Sequence, residues 1–350
     1  MKKLIIDARM VGPIGHGISK YIEGALANFG DSDPLTQLLL KYLNVKSFQE
    51  IEVISIIRPN CPEHSPIHQY KTIELDLSCY DPRSWWAIPK LLKLHDASLY
   101  FNPTFASFPR LPCKYVQTIH DLNHLHFGGI LHRLYYSILL KKSIRKAEAI
   151  FTVSNFIKSE IAKWSKISPD KILVFYNQFS PFERVPKKKS DAILSQYGLA
   201  PKKYFFCVTN QKPHKNLDFL IAAYRAYQGQ NSNKNELIQI WARRFEANQN
   251  EVNSSQKLPL VVTVKPEKIP PSTQELGVMG LGGISDENLH VLYQECAGFY
   301  FPSLYEGFGR PPVEAALAGV KTIVVSDLPV HHEAESLAQA HFLFLGVSSC

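Results

Sequence analysis

Short apolar runs alternate with segments of helical spacing along the first half of the chain. The apolar runs predict buried strands at residues 4–6, 52–57, 97–101, 115–119, 149–153 and 171–175. Between the later strands, apolar residues recur at helical spacing in residues 130–147 and 155–164. Strands that alternate with helices form a parallel sheet covered by helices on both faces. The first half therefore predicts a doubly wound α/β domain.

The same alternation starts again near residue 200. Strands are predicted at residues 204–208, 258–264, 298–301, 322–325 and 340–346, with helices at 217–227, at 286–295 and after Pro312. A polar, asparagine-rich segment at residues 229–257 interrupts this order, and we interpret it as an inserted surface loop around a helix. The second half thus predicts a second α/β domain of the same kind.

A basic, proline-containing stretch separates the two patterns. Residues 181–190 include three consecutive lysines at 187–189 and fit neither alternation. Such stretches are typical of linkers between domains. We therefore expect an N-terminal domain at residues 1–180, a linker at 181–199 and a C-terminal domain at 200–350.

Charge and cysteine spacing narrow the class of partner. The chain has 39 Lys and Arg residues against 31 Asp and Glu residues, a net charge of +8 that favours an anionic partner. Because this surplus is dispersed and lacks interleaved aromatic residues, nucleic acid is not expected. The six cysteines show no CxxC pair, which favours reduced thiols over a metal site.

Hydropathy bears on localisation. The first apolar run ends at Asp7, too early for a signal peptide, and no stretch reaches the ~18 apolar residues of a membrane span. We expect a cytoplasmic protein. The basic helical segment at 131–147 leaves two interpretations open: a packed helix with a solvated cationic face, or a peripheral contact with an anionic membrane at its inner face.

Residues 302–319 carry the most informative motif. After an apolar strand, the chain reads Pro-Ser-Leu-Tyr-Glu-Gly-Phe-Gly-Arg-Pro-Pro-Val-Glu, with carboxylates at Glu306 and Glu314. The amides of Gly307, Phe308 and Gly309 precede a proline-started helix, where backbone N–H groups favour an anion or sugar hydroxyls. Carboxylates accept hydrogen bonds from vicinal hydroxyls such as those of a ribose or a hexose. The alternative is a helix cap with two solvated glutamates.

Two further segments that could bind a ligand lie in loops after predicted strands. His120 and Asp121 follow the strand at 115–119, at the edge where clefts of open α/β sheets form. The alternative is that His120 has only a structural role. The glycine-bearing loop at residues 12–17 precedes a helix, a place that favours a phosphate group or simply a tight turn.

The motif at residues 306–314 resembles the retaining glycosyltransferases of family 4, whose signature has two glutamates separated by seven residues in an E-G-F-G-x-P-x-x-E setting. Other segments are similar to further elements of that family in the family's order, over about residues 1–335. They are the P-[RH]-K-N element at 213–216, the HDL element at 120–122, the N-terminal glycine loop at 15–17 and the TVSxF step at 152–156, which we interpret as a helix cap.

This resemblance implies the GT-B fold, with two Rossmann-like, doubly wound parallel-sheet domains facing a cleft that holds the active site. It also implies a retaining hexosyltransferase that needs no metal and no cofactor. The donor would be a nucleoside diphosphate sugar and the acceptor a glycan or a lipid-linked molecule. Polysaccharide or lipopolysaccharide biosynthesis at the cell surface is the family's common bacterial setting, and a mannose-type donor is the expectation by general similarity.

The resemblance also implies roles for individual residues. The catalytic residues would be His120, Lys215 and Glu306. The donor would be bound by Gly15, Gly17, Asn210, Lys212, Gly307, Phe308, Gly309 and Glu314, and the acceptor side would include His16 and Asp121. Lys215 would neutralise the departing diphosphate, Glu306 would hold the transferred sugar and Glu314 the ribose of the nucleotide.

Three departures from the family pattern keep alternatives open. Asn210 and Lys212 stand where many members have an arginine, and Lys265 ends a strand where the family usually has glycine. The chain also stops at Cys350, and we expect it to lack the usual C-terminal crossover helix. The second hypothesis is therefore a sugar-nucleotide-binding protein without turnover. A dinucleotide-binding Rossmann oxidoreductase is a weaker hypothesis, since no G-x-G-x-x-G follows a strand.

Overall fold

The structure is a computed structural model of the 350-residue chain. It describes residues 1–13, 17–179, 182–230 and 235–348, so the predicted site residues Gly15 and His16 lie outside the described ranges. The chain divides into two units, residues 1–179 and 180–350. Among the described residues, no helix combines the length and the apolar character that crossing a bilayer requires.

The first unit is built on a seven-stranded sheet in which all neighbouring strands are parallel. Its strands are β1 (Lys2–Asp7), β2 (Ile51–Ile57), β3 (Lys71–Glu74), β4 (Leu99–Asn102), β5 (Lys114–Ile119), β6 (Ala149–Thr152) and β7 (Ile172–Val174). They lie in the order β3-β2-β1-β4-β5-β6-β7. The chain thus adds β2 and β3 on one side of β1 and β4 to β7 on the other. The central strands are buried on both faces, as the apolar runs predicted.

The helices of the first unit are α1 (Gly17–Ala27), α2 (Pro34–Leu43), α3 (Ser84–Leu94), α4 (Asn123–His126), α5 (Ile130–Tyr135), α6 (Lys141–Lys146) and α7 (Asn155–Ser165). A π-helical turn at Tyr136–Leu140 joins α5 to α6. The Ser154 hydroxyl accepts a hydrogen bond from the Ile157 N–H at 3.2 Å and caps α7. The interpretation of residues 152–156 as a helix cap is confirmed.

The second unit has a six-stranded sheet, also parallel between all neighbours. Its strands are β8 (Phe205–Cys207), β9 (Leu260–Val262), β10 (Val278–Gly280), β11 (Gly298–Phe301), β12 (Ile323–Ser326) and β13 (Leu343–Leu345), in the order β10-β9-β8-β11-β12-β13. The helices are α8 (Lys187–Gln196), α9 (Leu217–Tyr227), α10 (Glu236–Glu251), α11 (Pro271–Gln274), α12 (Asp286–Glu295), α13 (Arg310–Leu317) and α14 (Pro329–Ala338). Two doubly wound parallel sheets, one in each unit, confirm the predicted fold class.

The stretch that we predicted as a linker contains helix α8, which packs against α12 of the second unit. The Val185 N–H donates to the Gln294 side-chain oxygen at 2.9 Å. Ile193 and Leu194 are buried on the inner face of α8. The lysines at 187–189 suggested a solvated connection, but they occupy only the first turn of a helix whose later residues are amphipathic. Residues 187–196 therefore belong to the second unit.

Residues 229–257 contain the helix that we expected there, α10, but this helix packs into the core and is not part of a surface loop. Ile238, Trp241 and Phe245 are buried at the spacing of one helix face and pack into the core of the second unit. The Trp241 ring lies 5.7 Å from that of Phe219, edge to face, and its indole N–H donates to the Gly346 carbonyl at 2.9 Å. Gln239, Arg243 and Arg244 stand between these buried positions and weaken the apolar pattern in the sequence.

Replacing Trp241 by alanine is expected to destabilise the second unit by about 3–5 kcal/mol, because a large buried ring is lost and its cavity cannot fully collapse. The free energy of unfolding in urea measures this effect. Arg243→Ala, on the exposed face of the same helix, is the matched control and should change that free energy by about 0.5 kcal/mol or less. Equal effects of the two substitutions would contradict the packing of α10.

Candidate functional site

Three neighbouring strands of the second unit bring the candidate site together. Strands β8, β11 and β12 are parallel and adjacent, so their carboxyl ends lie at one edge of the sheet. The strand order reverses between β8 and β11, and ligands of open α/β sheets bind at such a reversal. Lys215 follows β8, Glu306 follows β11 and His331 follows β12.

Lys215 and Glu306 form a buried ion pair. The Lys215 Nζ donates to Glu306 Oε1 at 2.6 Å, and the two side chains are only 16% and 11% exposed. The ammonium also lies 5.0 Å from the centroid of the Phe301 ring, at the end of β11. The alternative of two solvated glutamates in a helix cap is wrong for Glu306, because its carboxylate is mostly shielded from water and pairs with Lys215.

Hydrogen bonds join the loop after β8, which carries Lys215, to the loop after β11, which carries Glu306. The Leu304 N–H donates to the His214 carbonyl at 2.8 Å, and the Asn216 side chain donates to the Pro302 carbonyl at 3.2 Å. Asn216 adopts a left-handed conformation, with φ of 54°, between a short 3-10 turn and α9. These contacts set the position of the Lys215 backbone before any ligand is present, which is the property that an electrostatic site requires.

The charge of Glu306 is held by its neighbour. Burial alone would raise the pKa of this carboxyl, but the Lys215 ammonium and the hydrogen bond that it donates lower the pKa below its usual value. Glu306 is therefore a carboxylate at neutral pH and remains one in mildly acidic solution.

A pH dependence of stability follows from this shift. Because the pKa of Glu306 is lower in the folded protein than the 4.5 of an unperturbed glutamate, its contribution to stability is complete above that value. The contribution is lost as the pH falls through the lower pKa of the folded state. We expect the difference in unfolding free energy between the wild type and Glu306→Gln to be constant from pH 7 to about 5 and to fall in more acidic solution. Urea titrations at several pH values measure it, and a difference that is flat down to pH 2 would contradict the shift.

Glu314 lies in the first turns of α13 and is also buried. Its carboxylate accepts hydrogen bonds from Arg310 at 3.2 Å and from the Tyr293 hydroxyl at 3.2 Å. Burial and, next, the Glu314 charge raise the pKa of Tyr293, which stays a neutral donor. Gly309 precedes the helix with φ of 83°, a conformation that favours glycine. The loop and the two carboxylates are thus held by specific partners.

The other predicted donor residues of the second unit differ in how far they are exposed to solvent. Phe308 is buried and Gly307 is partly buried in the loop between β11 and α13. Asn210 and Lys212 have exposed side chains, and the Asn210 side-chain oxygen accepts the Lys212 N–H at 3.0 Å within the loop after β8. Lys265 has φ of −62°, so the absence of the family's usual glycine causes no backbone strain there.

The predicted residues of the first unit lie at the carboxyl end of β5 and at the start of α1. His120 Nε2 is 2.8 Å from the Pro103 carbonyl oxygen, and its ring meets that of Tyr21 edge to face at 4.8 Å. Asp121 accepts the Asn123 N–H at 3.0 Å at the start of α4, and Gly17 is the exposed first residue of α1. His120 therefore has structural contacts at a position suited to a ligand site, and its catalytic role stays a prediction.

Sequence reasoning missed two residues next to the ion pair. Phe301 was assigned only to a strand, and His331 was not singled out. His331 is fully buried, with its ring 5.6 Å from that of Phe301 and its Nδ1 2.8 Å from the Ser326 carbonyl oxygen. A histidine two residues into a helix that follows a strand next to β11 was the available signal, since this position lies at the same sheet edge.

Two protein-family models match the chain. Residues 50–179 match "Glycosyltransferase Family 4", and residues 274–344 match "Glycosyl transferases group 1". The first match covers β2 to β7 of the first unit, and the second covers Glu306, Glu314 and His331. Together the two models account for more than half of the chain.

Individual relatives agree with these models. The O-antigen chain mannosyltransferase RfbU of Salmonella typhimurium is 25% identical over 332 residues, which are 94% of this chain and 84% of that protein. Among solved structures, WaaG, a glycosyltransferase involved in lipopolysaccharide biosynthesis, superposes with a TM-score of 0.62 at 14% identity, over 99% of this chain and 87% of that one. Anabaena HepE in complex with UDP and glucose has a TM-score of 0.58 at 15% identity, over 95% and 83% of the two chains.

The structural similarities establish the fold, and the family models establish the kinship. The two parallel sheets, the motif at residues 306–314 and the matches in both halves point to the same group of enzymes. The chain belongs to the glycosyltransferases of family 4, also called group 1, and has the GT-B fold.

Proposed function

We propose that this protein transfers a sugar from a nucleoside diphosphate sugar to a glycan or lipid-linked acceptor, with retention of the anomeric configuration. The observation that carries the proposal is the buried pair of Lys215 and Glu306 at the strand reversal of the second unit. One member of the pair suits a diphosphate and the other suits sugar hydroxyls. A nucleoside diphosphate sugar carries both groups, so one ligand can replace the contact between Lys215 and Glu306 with its own contacts to each of them.

The chemistry of the site follows from charge. When the bond between the sugar and the diphosphate breaks, negative charge develops on the leaving phosphate oxygens. The Lys215 ammonium, shielded from water, stabilises this charge far better than a solvated lysine would. The N-terminus of α13 adds a partial positive charge at the loop that carries Glu306. We propose that these two positive groups replace a metal ion, so that chelation by EDTA leaves turnover unchanged.

Glu314 suits the nucleotide end of the donor. Its carboxylate is oriented by Arg310 and Tyr293, and it lies eight positions after Glu306 on the same loop and helix. A carboxylate held in this way can accept hydrogen bonds from the two hydroxyls of a ribose. No enzymatic nucleophile is assigned, and we propose that the sugar is transferred on one face while the departing diphosphate assists deprotonation of the acceptor.

The relatives guide the choice of substrates. RfbU is named as an O-antigen chain mannosyltransferase, and WaaG acts in lipopolysaccharide biosynthesis. We propose that this protein acts in the assembly of a cell-surface polysaccharide or lipopolysaccharide, with a mannose-type donor. Because HepE is described with UDP and glucose, uridine diphosphate sugars belong in the test beside GDP-mannose.

The test is a donor screen on the purified full chain. Each nucleoside diphosphate sugar is incubated with lipid-linked or soluble mannose-terminated acceptors, with and without EDTA, and the released nucleoside diphosphate is quantified. We expect release with one donor and, by NMR of the product, the anomeric configuration of that donor. Calorimetric binding of a donor without any release would favour the sugar-nucleotide-binding protein without turnover.

A specific observation in the first unit supports peripheral contact with a membrane. Four apolar side chains on the helix from α5 through the π-helical turn are exposed: Ile130 at 83%, Leu131 at 80%, Leu134 at 52% and Ile138 at 54%. The opposite face, with Tyr136, Leu140 and Ile144, is buried. Exposed cations at Arg133, Lys142, Arg145 and Lys146 flank this apolar stripe. The helix thus packs against the first unit with one face and exposes an apolar stripe flanked by cations on the other. We propose that this exposed face rests on an anionic bilayer.

Vesicle sedimentation tests this contact. The wild type is expected to sediment with phosphatidylcholine vesicles in which about one lipid in three is phosphatidylglycerol, and to bind several-fold less to pure phosphatidylcholine. Leu131→Gln combined with Leu134→Gln should abolish most of the binding, because the stripe loses its apolar area. Leu94→Gln changes an equally exposed leucine at the end of α3 and should have no effect. Equal binding by all three proteins would contradict the assignment of the surface.

A further inference from the structure

One ring nitrogen of His331, Nε2, is buried without a hydrogen-bond partner among the described residues. The residue lies in the first turn of α14 and is 0% exposed. Its Nδ1 is 2.8 Å from the Ser326 carbonyl oxygen, which can only accept a hydrogen bond. Nδ1 therefore carries the proton in the neutral ring, and this tautomer leaves a lone pair on Nε2.

That lone pair is unused among the residues that the structure describes. Nε2 is buried and has no hydrogen-bond partner within those ranges. Burial lowers the pKa of His331, so the ring stays neutral and Nε2 stays an acceptor. Proteins leave few buried polar atoms unsatisfied, and one that remains calls for an explanation, such as a role in catalysis.

The position of the ring shows which groups it can serve. A Cβ added to Gly309 would lie 3.0 Å from Cδ2 and 3.4 Å from Nε2 of His331, so this edge of the ring supports the donor-binding loop. The Lys215 ammonium and the His331 ring both pack against Phe301, at 5.0 and 5.6 Å from its centroid. Both also interact electrostatically with Glu306. Lys215, Glu306 and His331 thus form one buried cluster.

In the proposed reaction this cluster must change partners. Without substrate, Glu306 accepts one hydrogen bond of the Lys215 ammonium. When the hydroxyls of the donor sugar take the Glu306 carboxylate, the ammonium loses that acceptor although it still has three N–H groups to direct. The diphosphate can accept from some of them, and a neutral acceptor on the protein side would keep the ammonium from moving away.

We propose that His331 is a positioning residue whose Nε2 accepts a hydrogen bond from the Lys215 ammonium once Glu306 has turned to the donor sugar. The inference rests on the proposed function and extends it. His331 itself touches no substrate. Its role is to hold Lys215 against the diphosphate without adding a charge that would compete for that ammonium.

The first test requires no donor. Glu306→Ala removes the carboxylate as sugar binding would, so the Lys215 ammonium should move to His331 Nε2. Ring nitrogen NMR of ¹⁵N-labelled protein follows that atom, and the His331→Gln spectrum assigns its signal. We expect the Nε2 resonance to move toward that of a hydrogen-bonded acceptor in Glu306→Ala and to return in Glu306→Ala combined with Lys215→Ala. Because both variants lack Glu306, their difference reports Lys215 alone, and identical Nε2 signals in the two would overturn the proposal.

The second test uses turnover with the donor found in the screen. Glutamine places an amide oxygen near the position of Nε2, so His331→Gln should keep kcat within about 3-fold of the wild type. His331→Leu keeps the apolar volume but no acceptor, and we expect about a 10-fold or larger loss of kcat with the KM for the donor within about 2-fold. Melting temperatures of the two variants show whether folding is affected equally. An unchanged kcat in His331→Leu would overturn the proposal, and since the NMR test needs no activity, its result is separate from that of the proposed function.

Discussion

Replacing Lys215 by alanine is expected to lower kcat by about 10²–10³-fold, because one fixed group that stabilises developing charge in a water-shielded site has an effect of this size. The loss should fall on kcat more than on the KM for the donor, since negative charge on the diphosphate increases as the sugar departs. The measurement is steady-state release of the nucleoside diphosphate. The pair with Glu306 at 2.6 Å means that the substitution also leaves a buried carboxylate without its cation.

Two controls separate this loss from general damage. Lys321→Ala removes an exposed lysine between α13 and β12, and we expect its turnover to equal that of the wild type. Lys215→Arg keeps the charge but not the compact ammonium and should recover only part of kcat. If Lys215→Ala turned over donor at the rate of Lys321→Ala, Lys215 would have no part in stabilising the leaving group.

Replacing Glu314 by alanine is expected to raise the KM for the donor by about 10–100-fold with a smaller change in kcat. Hydrogen bonds between a carboxylate and ribose hydroxyls are worth ~1.5–3 kcal/mol when they are shielded from water, and they are present before and during the reaction. The loss of the carboxylate also leaves Arg310 and Tyr293 without their acceptor. Calorimetric titration with the free nucleoside diphosphate measures the affinity directly.

Glu246→Ala is the matched control for Glu314, because it removes an exposed carboxylate on α10. It should leave both KM and the affinity for the nucleoside diphosphate unchanged. A fall in kcat without any change in affinity for Glu314→Ala would assign Glu314 to the reacting sugar rather than to the nucleotide.

Much of the fold could be predicted from the sequence, because buried parallel strands are short and almost wholly apolar. The strands at 52–57, 115–119 and 298–301 match β2, β5 and β11 closely. The edge strands β3 and β10 were not predicted, since each is only three or four residues long and partly exposed. A helix was expected within residues 229–257, but its burial was not, because polar side chains separate the buried positions of α10.

The sequence indicated which residues belong to the site but not which of them contact each other. The glutamate motif and the lysine element each indicate a loop after a strand, but their residues lie 91 positions apart in the chain. Only the adjacency of β8 and β11 in the sheet makes Lys215 and Glu306 neighbours. The only signal for His331 in the sequence is its place just after a strand, and its importance depends on burial and on a ring nitrogen that no described residue binds. Such properties arise from tertiary packing and leave no periodicity in the sequence.

A crystal structure of the full chain with the donor that the screen identifies tests the proposed donor site most directly. We expect the Lys215 ammonium within hydrogen-bonding distance of a diphosphate oxygen, a sugar hydroxyl that donates to Glu306, and ribose hydroxyls that donate to Glu314. A donor bound elsewhere on the chain, with the ion pair of Lys215 and Glu306 intact, would contradict this expectation.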